Sequence, residues 1–370
     1  MIRQLLIDGK VRSIGYTTGS SSIFLLATMY SAIFLMLLVF SGSAYTAQTE
    51  KVVIYAATDF DVIQPLIADF EAAYPNIRVE YHDMHTTEVQ ARFLAEAEGK
   101  NRADIVWSSA MDLQMRLVND GYALPYRSAE TAAMPAWAKW KDEAFGITFE
   151  PVCFVYNSRK IAQKNVPQSH ADLVRLLSDD PEIFAQRLVT YDPHRSGLGY
   201  LLHTQDLEAN PVVFWKLIRT MAVQGLLTEA TSTAMLNRIS SGQSWLGYNV
   251  LCSYAHARRA ESPDIEAVMP RDYTLVMSRI AFINRRAPHP ENAKKWLDYV
   301  LSRRGQTILN AIGLHSVRSD IENEASAESL RRRLGAAFRP IVLNTGLLTY
   351  IDHKKRERFL ELWDEALQGK

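Results

Sequence analysis

Over residues 51–121 the chain alternates apolar, strand-length runs with amphipathic, helix-length ones, and this rhythm leaves few folds open. "KVVIYAA" (51–57) reads as a buried strand. Val62, Ile63, Leu66, Ile67, Phe70 and Tyr74 then recur at helical spacing. Thr58 or Asp59 can cap that helix, Pro65 is tolerable in its early turns, and Pro75 ends it. "IRVEYHD" and "ADIVWSS" are further strands. "TEVQARFLAEAEG" and "MDLQMRLVNDG" are helices stopped by Gly99 and Gly121. Strand and helix alternating at this pace build a right-handed α/β unit on a parallel sheet. Ligands of such sheets sit beyond the carboxyl ends of the strands. This singles out Ala57-Thr58-Asp59 and Ser108-Ser109-Ala110, whose hydroxyls and carboxylate can take ligand groups or cap the next helix.

A second α/β region follows the run "GITFEPVCFVYNSRKI". It holds a capped helix at "PQSHADLVRLL", with Ser169 and Asp172 as a capping box, and a strand–loop–helix at "RLVTYDPHRSGLGYLL". "NPVVFWKLIRTMAVQGLL" is an amphipathic helix. "EAVMPRDYTLVMSRIAFINR" reads as a long apolar strand region kinked at Pro270. With 370 residues, no internal repeat and no low-complexity linker, two α/β lobes joined by strands are the economical reading.

Residues 23–40, "IFLLATMYSAIFLMLLVF", carry no charge. Arg3, Lys10 and Arg12 precede them, and "SGSAYTA" follows, with Ala44 and Ala47 as cleavage positions. This is the layout of a signal peptide over 1–47, an uncleaved anchor being the alternative. Either one places the rest of the chain outside the cytoplasmic membrane, in the periplasm. Cys153 and Cys252 can pair in that oxidising compartment or stay buried as free thiols. The formal net charge is +0 and gives no reason to expect a nucleic-acid partner. The basic clusters "SLRRRLG" and "DHKKRERF" read as solvated helix faces.

The step Ser196-Gly197 opens a helix. Unsatisfied N–H groups and the helix dipole there favour an anion, and glycine lets an oxyanion approach, with His194 and Arg195 beside it. A plain N-cap and turn is the other reading. A dinucleotide site is disfavoured because Leu202 stands where the third glycine belongs. Tyr248 and Asn249 are candidate polar contacts, whereas Tyr254 reads as core. Asp272 is expected in an ion pair, and the His82, Asp83, His85 group reads as exposed loop rather than a metal site. No nucleophile, base and orienter assemble, so no enzyme, metal or cofactor is expected.

Several stretches resemble the bacterial extracellular solute-binding proteins of ABC transporters, in their ferric-iron and phosphorylated-solute branch. They are "VVIYAATDFDVIQPLIADFEAAYPNIRVEY", "ADIVWSSAMDLQMRLVNDGYALPY", "VCFVYNSRKI", "TYDPHRSGLGY", "LGYNVLCSY" and "VMPRDYTLVMSRIAFINRRAPHPENAKKWLDYVLSRRGQ". The resemblance implies a type II periplasmic-binding fold: two α/β lobes, mostly parallel sheets with helices on both faces, and hinge strands near 151–157 and 269–283. It divides the chain into lobe 1 (48–152), lobe 2 (153–268), a return to lobe 1 (269–325) and C-terminal helices of undecided lobe (326–370). It further implies a monomer that closes on an anionic, phosphorylated or phosphonate solute and delivers it to an inner-membrane permease. The serine-glycine step at Ser196-Gly197 would contact the anion. Ferric-ion binding and partnership with a sensor kinase are the alternatives. The adjacent tyrosine pair of the iron binders is replaced here by Tyr248-Asn249.

Overall fold

Residues 52–56 are almost wholly buried, as a strand covered by helices on both faces must be. The computed structural model describes residues 50–96, 102–179, 181–321 and 326–369, so the leader expected over 1–47 lies outside the described residues. The strand–helix rhythm becomes β1 (Glu50–Ala56), α1 (Phe60–Ala73), β2 (Ile77–Asp83), α2 (Thr86–Glu96), β3 (Ile105–Ser108) and α3 (Met111–Asn119). β1 pairs in parallel with β2 and β3. Gly121 stops α3 with φ +87°, a conformation that favours glycine. After α4 (Ala129–Ala132), β4 (Lys139–Trp140) and β5 (Ala144–Gly146) join the first sheet, which a later strand, β12 (Ile280–Ile283), completes in the order β2-β1-β3-β12-β5-β4.

The chain then enters the second sheet. Its elements are β6 (Glu150–Asn157), α5 (His170–Asp179), β7 (Leu188–Tyr191), α6 (Gly197–Ala209), α7 (Pro211–Val223), β8 (Leu227–Glu229), α8 (Ser232–Ser240), β9 (Leu246–Leu251), α9 (Cys252–Arg258), β10 (Ile265–Val268) and β11 (Thr274–Met277). β12 (Ile280–Ile283) brings the chain back to the first sheet, antiparallel to β3 and β5. The region expected as one kinked strand is therefore three short ones, and only Ser278-Arg279 separate the last two across the sheets. α10 (Pro290–Leu301) and α11 (Arg303–Ala311) pack on the first sheet through Trp296, Leu297 and Leu309. The second sheet runs β13-β11-β6-β9-β7-β8, where β13 is Phe338–Pro340, with β10 also on β6.

The C-terminal segment serves both lobes. α12 (Ala327–Leu334) buries Leu330 in the first-sheet core, and β13 (Phe338–Pro340) pairs with β11. α13 (His353–Leu367) buries Phe359 and Trp363 with Phe214 and Leu217 of α7 in the second-sheet core.

Cys153 on β6 and Cys252 at the start of α9 form a disulfide, with Cα atoms 5.4 Å apart. It closes a loop spanning 99 positions. A loop of roughly 100 residues constrains the unfolded chain by about 4.7 kcal/mol in the chain-entropy model. Replacing both cysteines by alanine is expected to lower urea-unfolding stability by about 2–5 kcal/mol. An unchanged midpoint would show that the bridge does not stabilise the fold.

Candidate functional site

The carboxyl ends of strands in both sheets face one cavity of 380 Å³. Its first-lobe wall is Ala57, Asp59, Asp83, His85, Thr86, Glu88, Ser109 and Arg279. Its second-lobe wall includes Tyr191, Ser196, Leu198, Thr231, Ser232, Thr233 and Tyr254. The starts of α1, α2 and α3 come to it from one side, and those of α6 and α8 from the other. The first N–H groups of a helix have no carbonyl one turn back to bond, and the dipole leaves them partly positive. Serine and threonine caps hold the two second-lobe starts in place. Ser196 Oγ accepts from the Gly199 N–H at 3.0 Å, and Thr231 Oγ1 from the Ala234 N–H at 3.1 Å. Asp59, Asp83 and Glu88 bring negative charge to the same space, and burial raises the Asp83 carboxyl above its ordinary value.

The lobes touch directly across this cavity. The Gly197 N–H donates to Thr86 Oγ1 at 2.9 Å, and the Thr233 hydroxyl to Asp59 at 3.0 Å. The Tyr254 hydroxyl reaches Asp59 at 3.3 Å. Burial pushes that phenol up to about 12, with Arg279 opposing.

Beneath the cavity, each chain crossing supplies one half of a buried ion pair. Arg279 Nε and Nη2 donate to Glu150 at 2.8 and 3.2 Å, and both side chains are almost fully buried. Arg279 Nη1 donates to the Ala57 carbonyl and Thr58 Oγ1, both at 2.9 Å. Thr148 and Ser253 hydroxyls donate to the Glu150 carboxylate at 2.8 and 2.9 Å. Burial alone would lower the guanidinium's pKa; the adjacent carboxylate reverses this, and the net direction is up. Arg279 is thus charged and neutralised in place, and it ties the end of β1 to both crossings.

The residues singled out in the sequence fall into distinct places. Asp59, Ser109 and Ser196 line the cavity. Thr58 and Ser108 lie just behind it, the first held by Arg279 and the second accepting from the Ala110 N–H at 3.2 Å. Gly197 lies at the lobe contact. Tyr248 and Asn249 turn away from the cavity: the Tyr248 hydroxyl and the Asn249 amide both donate to buried Asp206, at 2.5 and 2.6 Å. His194 and Arg195 are exposed and bond Asp364 and Asp192. Asp272 does pair, but with His170 at 3.0 Å rather than with an arginine.

Two expectations hold only in part. Tyr254 packs against the core as expected, but because the strand ends at Leu251 its ring, carried by α9, also reaches the cleft. Asp83 and His85 are exposed as expected and in addition line the cavity wall, but His82 and Asp83 are still on β2 rather than in a loop. Thr231, Ser232, Thr233 and Arg279 were not found from sequence. The strand end at "LTEATST" was the available signal, but β8 is three half-buried residues long and lacks an apolar run.

Two α/β lobes meeting over a polar cavity ringed by helix starts define a class, the two-lobed solute receptor of type II periplasmic-binding fold. The chain belongs to the bacterial extracellular solute-binding protein family, whose model matches residues 65–330. It is similar to the substrate-binding protein of an ABC transporter from Agrobacterium tumefaciens, at 38% identity and TM-score 0.83, over 88% of this chain and 96% of that one. AfuA from Actinobacillus pleuropneumoniae, with fructose-6-phosphate bound, shares the fold at 19% identity and TM-score 0.69, over 86% of this chain and 99% of its own. Iron-bound HitA from Pseudomonas aeruginosa does so at 15% identity and TM-score 0.69, over 86% of this chain and 99% of its own. No curated protein matches the chain. The protein is a substrate-binding component of an ABC transporter, in a family that works in the periplasm with an inner-membrane permease. No helix among the described residues is long and apolar enough to cross a membrane.

Proposed function

We propose that this receptor captures an anionic small molecule, phosphorylated or phosphonate in class, that also carries hydroxyl or amine donors. The supporting observation is the convergence of helix starts from both lobes on one cavity of 380 Å³, a volume suited to a small metabolite. Ser109, Ser196 and the residues 231–233 present hydroxyls beside those starts, where an oxyanion is favoured. Asp59, Asp83 and Glu88 complement donors on the rest of the solute. A ligand touching both walls favours the closed form because only that form offers both sets of contacts. Arg279 acts from below as a positioning residue, since Glu150 already balances its charge.

A thermal-shift screen of the secreted protein tests this against sugar phosphates, phosphonates, phosphoglycerates, dicarboxylates and ferric ion. A ligand at a hundred times its Kd adds about 2.7 kcal/mol by mass action, enough to raise the midpoint by several degrees. A rise with phosphorylated or phosphonate solutes is expected. A rise with uncharged or purely cationic solutes alone would overturn the anion reading, and a rise with ferric ion alone would favour iron.

A further inference from the structure

We infer that closure of the two lobes takes up a proton at Asp112, so that acid favours the closed receptor; the inference rests on the reading that the lobes open and close. Asp112 stands in the first turn of α3, on the first lobe, and is 2% exposed. One of its oxygens accepts the Leu113 N–H at 2.8 Å. Among the described residues it has no ion-pair partner within 4.0 Å, the limit for such a pair.

Part of what covers it comes from the other lobe. α3 packs on α6, and the turn Thr345–Leu348, which leads into α13, packs on α3 as well. The groups that face Asp112 are Arg356 on α13 and Tyr200 on α6, with Tyr350 beside them. Arg356 does not reach down to the carboxylate. It lies over the Tyr200 ring, 4.4 Å from its centre, and the Tyr200 hydroxyl bonds the Tyr350 carbonyl. Second-lobe side chains thus face this carboxyl without an ion pair to neutralise it. When α6 moves off α3, the same carboxyl gains access to water.

Burial is the dominant effect on this group and raises its pKa to about 7, with the Leu113 N–H and Arg356 opposing. An exposed aspartate titrates near about 3.9. The closed form therefore binds one more proton than the open form between these values. Its advantage is full below about pH 4 and is lost as pH rises through about 7. Over that window the closed-to-open ratio falls by up to roughly tenfold per pH unit.

Carboxyl ¹³C NMR titration of Asp112 tests this in the secreted protein without ligand. Two chains are compared, the wild type and a Gly197→Leu variant whose added side chain keeps the lobes apart. The expected midpoints are near 7 in the wild type and near the ordinary aspartate value in the variant. Matching midpoints, or a wild-type midpoint near 4, would overturn the inference. Small-angle scattering gives the second reading. The wild type should be more compact at pH 5 than at pH 8, and Asp112→Asn should show no such change. A pH-dependent radius retained in Asp112→Asn would place the proton elsewhere and also overturn it. Neither measurement involves a solute, so failure of the solute screen and failure of this inference are separable.

Discussion

Arg279→Met is expected to cost about 3–5 kcal/mol of folding stability, because it leaves Glu150 as a buried charge without its partner. The guanidinium has four hydrogen bonds to lose: two to Glu150 and one each to Ala57 and Thr58. Methionine fills much of the volume, so the loss is electrostatic rather than a cavity effect. Urea unfolding measures it. The double variant Glu150→Met with Arg279→Met should recover most of the loss, since a buried pair replaced by apolar groups is often neutral or better. A single-variant cost below about 1 kcal/mol, within the range of exposed ion pairs, would mean that the pair is screened by water and does not bind the two crossings together.

Gly197→Leu is expected to weaken solute binding while leaving the unliganded fold stable to within about 1 kcal/mol. A Cβ at Gly197 would lie 3.0 Å from Leu113 Cδ1 and Thr86 Oγ1 and 3.1 Å from Ala110 Cβ, all on the opposite lobe. A full leucine must push the lobes apart. Overpacking of this kind costs about 1–3 kcal/mol, which is roughly 5- to 150-fold in affinity. Calorimetry with whichever solute gives the largest midpoint rise is the measurement. An affinity equal to the wild type's would show that the Gly197 contact is not part of the binding-competent state.

The sequence step "SGLG" illustrates how far residue patterns reach. Its place at a helix start after a strand was legible from the turn before it and the periodicity after it. The roles of its glycines were not. Gly197 is small because the other lobe approaches it. A Cβ at Gly199 would fall 2.3 Å from the Cβ of Tyr191, so this glycine is small because the helix lies directly on β7. Both reasons are long-range contacts, and local pattern carries no information about them. Arg279 was hidden for the same reason, since its partner Glu150 lies 129 positions away. The cleft position of Tyr254 was hidden because "LGYNVLCSY" has no turn residue at the switch from strand to helix after Leu251. In contrast, Asp59 and Ser109 follow from the strand-end rule, which depends only on recognising β1 and β3, and Ser196 follows from recognising a helix start.

The most direct test of the account is a crystal structure of the protein with the solute selected by the thermal-shift screen. The expected result places the solute's anionic group within about 2.7–3.2 Å of donors from both lobes, Ser109 or Thr86 on one side and Ser196 or the residues 231–233 on the other. A solute held by one lobe alone, or seated outside the cavity between them, would contradict it.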